Sequence, residues 1–293
     1  MFDPSPLVRP NIQNLQPYSS ARDEFAGTAG IFLDANENPF GRLNRYPDPH
    51  QQALKNRLAA LKQVPADQIF IGNGSDEVLD LCFRVFCTPT ADRALTFSPS
   101  YGMYAVLAGL NDVVLTQLPL GPGFQIDWPA MEPQLADPRL KIVLLCSPNN
   151  PTGNCIDGIE RLLERFGGIV VVDEAYIDFA RRPSCASWIE RFPRLIVVQT
   201  LSKAWGLAAA RVGLAIAHPA IIRLLDRAKP PYNVSALNQQ AALQALERPE
   251  TFEQQIKILL QQRAWLEQQL RALPIVRRVY PSEANFLLVE VAD

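Results

Sequence analysis

Four β-branched residues in a row, Ile169-Val170-Val171-Val172, run directly into the acid Asp173, and no other stretch constrains the fold as much. A strand that is apolar at every position, not at alternate ones, suits a sheet covered on both faces, as parallel sheets are. Similar runs recur at Gln68–Ile71, Ala94–Phe97, Val113–Leu118, Lys141–Leu145 and Leu195–Gln199. Between them, apolar residues at helical spacing mark helices over Gln51–Lys62, from Ser75 to Phe86, over Met103–Leu110 and over Ile159–Phe166. This alternation, from about Gln51 to Ala217, predicts an α/β fold with a mostly parallel, doubly wound sheet and helices on both faces.

Open sheets of this kind bind ligands beyond the carboxyl ends of their strands, so residues just past each run are the candidates for chemistry. Lys203 follows the run Leu195–Gln199 in Thr200-Leu201-Ser202-Lys203. It is either a surface lysine behind a core strand or, partly desolvated there, an amine able to form a Schiff base with a carbonyl. Ser202 and Arg211 suit an anion beside it, the arginine by a two-pronged contact. Asp173 is either a turn or cap aspartate or a buried acid that holds a cationic ligand. Gly72-Asn73-Gly74-Ser75, between strand and helix, has the layout in which unpaired N–H groups cradle phosphate. Asp76 and Glu77 suit the dipole of that helix but repel phosphate, which leaves contact there to the backbone and the Ser75 hydroxyl. Tyr101, in Ser98-Pro99-Ser100-Tyr101-Gly102, either packs or forms the lip of the same crevice. Two prolines and a glycine in the eight residues Cys146–Gly153 make a rigid loop that presents the Asn150 amide.

Composition removes several alternatives. A net charge of -2 gives no basic field for nucleic acid or an anionic membrane. No apolar run approaches the roughly 18 residues of a membrane span, and Met1-Phe2-Asp3-Pro4 lacks a signal-peptide profile. Five cysteines, odd in number and without zinc spacing, read as reduced core residues of a cytoplasmic protein. The two histidines, His50 and His218, each sit beside a proline, which argues against a histidine triad or a metal site. Residues 1–30 read as an extended, proline-punctuated arm. Residues 31–234 read as a large domain that opens on a short strand, Ile31–Asp34. Pro47 and Pro49 stiffen the loop presenting Tyr46. After Pro230-Pro231, residues 235–293 read as the start of a smaller α+β domain, long and helical over Ser235–Leu273 and ending in a strand from Asn285 to Val291.

The set Asn150-Pro151-Thr152-Gly153, Asp173-Glu174-Ala175-Tyr176, Ser202-Lys203 and Arg211, spaced by 23, 30 and 8 residues, resembles the pyridoxal-phosphate site of the fold-type-I aminotransferases. Leu15-Gln16-Pro17-Tyr18, Leu33–Pro39, Arg45-Tyr46-Pro47, Gly74–Glu77 and Ser98–Tyr104 narrow the resemblance to the class-II branch and its histidinol-phosphate aminotransferase family. It spans nearly the whole chain in order. The resemblance implies the fold-type-I fold of pyridoxal-phosphate-dependent transferases, with pyridoxal 5′-phosphate as cofactor. It gives Lys203 the covalent bond to the cofactor and the transfer of the substrate proton, and gives Asp173 the pyridine nitrogen. Tyr176 and Asn150 donate to the phenolic oxygen, which needs a cis bond between Asn150 and Pro151 to aim the amide. Tyr101 stacks on the ring. Ser75, the backbone at Asp76 and Glu77, Ser202 and Arg211 hold the phosphate.

The resemblance also gives Tyr46 the cofactor phosphate of a neighbouring subunit, hence a homodimer with shared sites. Tyr18 and Asn36 fall in the substrate pocket. The implied reaction moves an amino group between glutamate and imidazole-acetol phosphate, in histidine biosynthesis, so the ligands are a phosphorylated amine and a 2-oxo acid. Threonine-phosphate decarboxylases and aromatic aminotransferases use the same cofactor residues. A non-catalytic relative has no need to keep both Lys203 and Asp173. Family members continue past Asn285-Phe286-Leu287 into a segment with arginines for the substrate anion, whereas this chain ends at Asp293. The expectation is a full cofactor set with weak hold on the substrate phosphate.

Overall fold

The computed structural model describes residues 2–18 and 31–292; the expected extended course of residues 19–30 lies outside the described residues. The elements run α1 (Pro10–Gln13), α2 (Gln52–Lys62), β1 (Ile69–Asn73), α3 (Ser75–Phe86), β2 (Arg93–Ser98), α4 (Met103–Leu110), β3 (Val114–Pro119), α5 (Trp128–Leu135), β4 (Leu140–Cys146), α6 (Ile159–Arg165) and β5 (Ile169–Asp173). They continue with β6 (Leu195–Thr200), β7 (Val212–Ala217), α7 (Pro219–Ala228), α8 (Ala236–Leu246), α9 (Pro249–Arg271), β8 (Val276–Val279) and β9 (Val289–Val291).

Seven strands form one sheet in the order β1-β7-β6-β5-β4-β2-β3. All pairings are parallel except those of β7, which runs antiparallel to both β1 and β6. The mostly parallel, doubly wound sheet is therefore as expected. Its apolar runs feed both faces: Val170, Val172 and Val197 enter one core with Leu54, Leu58 and Leu162. Ile169, Val171 and Val198 enter the other with Leu79, Phe83 and Ile221. Each such side chain, fully buried, stabilises the fold by about 1.5–3 kcal/mol. This two-sided burial is why the runs lack polar alternation. The carboxyl ends of β1, β2, β4, β5 and β6 and the start of β7 open on one side, where Gly213 pairs with both Gly72 and Thr200.

Three expectations need correction. The arm is not extended throughout: Ser5–Leu7 is a 3-10 turn and α1 a helical turn, each opened by a proline. Val8 and Ile12 are buried beside α3, and the Arg9 N–H donates to the Val85 carbonyl at 2.9 Å, so apolar contacts dock this part. Ile31–Asp34 is not a strand, because it finds no partner strand among the described residues; Ile31 and Leu33 stay exposed. The last strand is only Val289–Val291. The preceding Ala284 and Phe286 pack instead against Tyr176 and Phe179, which takes their backbone off the ladder with β8. Helix α8 sends Ala242 and Leu246 into the core beside Leu54 and Leu58. Helix α9 carries Phe252, whose ring stacks on Trp205 at 3.9 Å, just past Lys203.

Candidate active site

One cavity at the strand ends is lined by Ser75, Asp76, Tyr101, Cys146, Asn150, Asp173, Ala175, Tyr176, Thr200, Ser202, Lys203, Ala208 and Arg211. Chain segments remote in sequence meet there because β1, β4, β5, β6 and β7 share that edge.

The anion end is built first by backbone. Gly74 has φ +85°, and a Cβ on it would stand 2.4 Å from the Arg211 guanidinium. Only glycine turns the chain there and leaves room for the arginine. Arg211 itself is left-handed, with φ +50°, a conformation costly for a residue with a side chain and found more often at functional sites. Its Nη2 lies 3.6 Å from Asp76 Oδ2. The Ser202 N–H donates to Thr200 Oγ1 at 3.1 Å, which fixes the turn that carries Lys203. The first-turn N–H groups of α3 have no partners within the helix, so together with the Ser75 and Ser202 hydroxyls they offer a cradle for an anion.

The opposite end is a buried acid. Asp173 closes β5 with only 3% of its surface exposed. Its Oδ1 accepts the Ala175 N–H at 3.1 Å, and its Oδ2 accepts the Tyr104 hydroxyl at 3.0 Å. Burial pushes its pKa up to about 6, against the pull of those two donors. Tyr176 is buried too, and burial with nearby Cys146 and Asp173 pushes its phenol up to about 12, so it is a donor at any working pH. The Asn150 Nδ2 lies 3.5 Å from the Tyr176 hydroxyl. The bond between Asn150 and Pro151 is cis, as expected, and so are Ser98-Pro99 and Ser147-Pro148. Tyr101 donates to Asp76 Oδ1 at 3.1 Å, and burial with that carboxylate pushes its pKa upward.

Of the two readings of Lys203, the structure shows the surface one in burial, though this lysine stands at the cavity. It is exposed, not desolvated, with Nζ 5.6 Å from the centre of the Tyr176 ring. The loop after β6 buries Ala204 and Trp205 in the core and leaves the Lys203 side chain exposed at the cavity. The Glu77 carboxylate faces away from the cavity, accepting the Asn233 amide at 2.8 Å and the Asn73 N–H. Glu174 also turns from it, accepting the Cys185 N–H at 2.7 Å and the Gln199 amide at 2.9 Å. Tyr18, Asn36 and Tyr46 lie outside the cavity within the single chain. Tyr18 borders a hollow with His50 and Arg223, while Asn36 and Tyr46 share another with Leu43 and Leu237. Tyr46 stacks on Tyr232 at 4.6 Å. The residue that sequence reasoning left without a role is Tyr104, three positions after Tyr101 and in the first turn of α4.

The family model described as aminotransferase class I and II matches residues 27–293. Histidinol-phosphate aminotransferase of Parabacteroides distasonis is 52% identical over 295 residues, covering all of this chain and 85% of the relative. The enzyme of that name from Cytophaga hutchinsonii is 48% identical over 299 residues, covering all of this chain and 86% of its own. The crystal structure of histidinol-phosphate aminotransferase from Sinorhizobium meliloti in complex with pyridoxal-5′-phosphate superposes with a TM-score of 0.78. At 23% identity, over 88% of this chain and 75% of that one, it shows a shared fold.

Proposed function

This chain belongs to the class I and II aminotransferases, and from that premise we propose that it exchanges an amino group between glutamate and imidazole-acetol phosphate, yielding 2-oxoglutarate and histidinol phosphate. The observation that carries the reading is that one cavity gathers Lys203, Asp173, Asn150, Tyr176 and Arg211, in a chain about half identical to enzymes of that name.

The donor set fits pyridoxal 5′-phosphate. A dianion suits the Gly74 turn, the two serine hydroxyls and Arg211, with the Asp76 carboxylate already engaged by Tyr101 and Arg211. A cationic ring nitrogen suits the buried Asp173, and a phenolic oxygen suits the Asn150 and Tyr176 donors. When bound, the cofactor supplies an electron sink for the electrons released at the substrate carbon. The chain supplies the rest. Lys203 Nζ anchors the cofactor and carries the proton to and from the substrate α-carbon. Asp173 holds the ring nitrogen in its charged form, Tyr101 covers one ring face, and Ser75, Ser202, Arg211 and the backbone of Asp76 and Glu77 hold the phosphate. Tyr18 and Asn36 belong to the substrate side. Protein in the pyridoxal form should lose its cofactor absorbance on mixing with glutamate or histidinol phosphate, and respond weakly to phenylalanine. Release of carbon dioxide from threonine phosphate without 2-oxoglutarate would point to a decarboxylase instead.

The site is shared across a homodimer in this reading. Leu43, Tyr46 and Leu237 are each more than half exposed around one hollow, and Ile31, Leu33 and Phe40 in the same segment are exposed further. Apolar surface of this extent suits a partner chain, with an interface above about 1,000 Å². Sedimentation should show a dimer at micromolar concentration. Mixing Tyr46→Phe with Lys203→Ala subunits should create hybrids with one site that keeps both native residues, and activity should recover. A monomer, or no recovery, would overturn the shared site. No helix among the described residues is long and apolar enough to cross a membrane, and the five buried free thiols support a cytoplasmic setting.

A further inference from the structure

Tyr104 does not line the cavity, yet it is joined to both of the groups that would face the cofactor ring. Only 1% of it is exposed, and with Leu107 and Ala108 it forms the buried stripe of α4. Its hydroxyl donates to Asp173 Oδ2 at 3.0 Å. Its ring meets the ring of Tyr101 edge-on, with centroids 5.6 Å apart and planes at 88°. Tyr101 in turn donates to Asp76, which lies beside Arg211. One side chain thus braces the acid at one end of the cavity and the aromatic ring that leads to the anion cradle at the other.

We infer that Tyr104 is a positioning residue: its hydroxyl keeps the Asp173 carboxylate ionised and turned toward the ring nitrogen of the cofactor. The inference rests on pyridoxal phosphate occupying this cavity. A carboxylate so deep in an apolar core is driven toward its neutral form. Two donors oppose that, the Ala175 N–H and the Tyr104 hydroxyl, and each takes one oxygen. Each oxygen keeps a lone pair for a further donor. Other charges near Asp173 make the tyrosine more necessary. Asp76 on α3 and Glu174 beyond β5 both push its proton affinity up, while burial keeps the phenols of Tyr101 and Tyr176 and the thiol of Cys146 on β4 protonated. Lys203 and Arg211 stand at the exposed rim, and Arg211 faces Asp76. Burial and Asp173 hold the Tyr104 phenol well above its ordinary pKa, so it remains a donor at every working pH. A neutral Asp173 could not keep a ring nitrogen charged.

The test compares binding of pyridoxal phosphate with binding of its 1-deaza analogue, which lacks the ring nitrogen, by titrating apoprotein and following cofactor absorbance. Tyr104→Phe removes one hydrogen bond to a charged group, which sets a scale of about 10- to 100-fold. The expected result is that the preference for pyridoxal phosphate over the analogue falls by that factor, while affinity for the analogue stays within about twofold. Site-specific replacement of Tyr104 by 3-fluorotyrosine, a stronger donor of nearly the same shape, should raise the preference, and an unchanged preference there overturns the inference if the phenylalanine variant does not fold. Equal loss of affinity for both ligands would mean a packing role and overturn the inference, as would an unchanged preference in both variants. Asp173→Asn separates this from failure of the underlying reading. If that variant also leaves the preference unchanged, the cofactor does not place its nitrogen on Asp173.

Discussion

Replacing Lys203 with alanine should lower transamination by about four orders of magnitude or more while leaving the fold intact. Proton transfer by a positioned base contributes roughly 10²- to 10⁴-fold by itself, and the variant also loses the amine that holds the cofactor carbonyl. Little else depends on this side chain. It is exposed, and its nearest aromatic contact is the Tyr176 ring at 5.6 Å. Exposed substitutions of this kind change stability by no more than about 0.5 kcal/mol. Thermal unfolding of the apoprotein should therefore match the parent within about 2 °C. Ser75, Ser202 and Arg211, proposed to hold the phosphate, are untouched, so the variant should still take up pyridoxal phosphate, without a covalent link. Borohydride reduction followed by peptide mapping checks this directly: the parent should carry its adduct on Lys203 and the variant none. An adduct on another lysine would remove Lys203 from the mechanism.

The sheet was legible because parallel strands buried on both faces are apolar at every position, so Ile169–Asp173 and Leu195–Thr200 stand out as unbroken runs. Site residues directly after those runs were legible for the same reason: strand ends share an edge, which brought Asp173, Asn150, Ser75 and Lys203 together. Elements whose state depends on partners were not. Ile31–Asp34 has the composition of a strand but no strand to pair with among the described residues. The stretch before β9 spends Phe286 on an edge-on contact with Tyr176, 5.1 Å between centroids, and so leaves the ladder. Val8 and Ile12 look like residues of a loose arm until the groove beside α3 is seen. Tyr104 was hidden in another way: its value lies in an oxygen 69 positions along the chain, and sequence alone marks it only as the third residue after Tyr101. Exposure of Lys203 beside the buried Ala204 and Trp205 is set by the path of the loop after β6, which a strand-end argument does not specify.

Asp173→Asn should make the apoprotein more stable at neutral pH and the enzyme far slower. Burial raises the folded-state pKa of Asp173 to about 6 from 3.8. An acid whose pKa rises on folding favours the native state fully only below its unfolded value. That contribution is lost as pH climbs from about 4 through about 6. Roughly two pKa units at about 1.4 kcal/mol each amount to about 3 kcal/mol of destabilisation of the apoprotein above that window. Asparagine carries no charge to bury, so the difference in stability between variant and parent should grow from pH 4 to pH 6 and then level off. Its amide must still find partners, since it sets an N–H group where Asp173 accepts from Tyr104 or Ala175, so about 3 kcal/mol is an upper bound. The same charge is the one proposed to hold the cofactor nitrogen. Removing one member of a buried ion pair costs about 3–5 kcal/mol, which corresponds to two to four orders of magnitude in rate if it is felt in the transition state. Denaturant unfolding of both apoproteins across pH 4–8, beside single-turnover rates with glutamate, measures the two effects on one pair of proteins. A stability difference that is flat with pH would mean that Asp173 is not ionised at a cost in the empty cavity, and a rate within tenfold of the parent would mean that its charge does not serve the reaction.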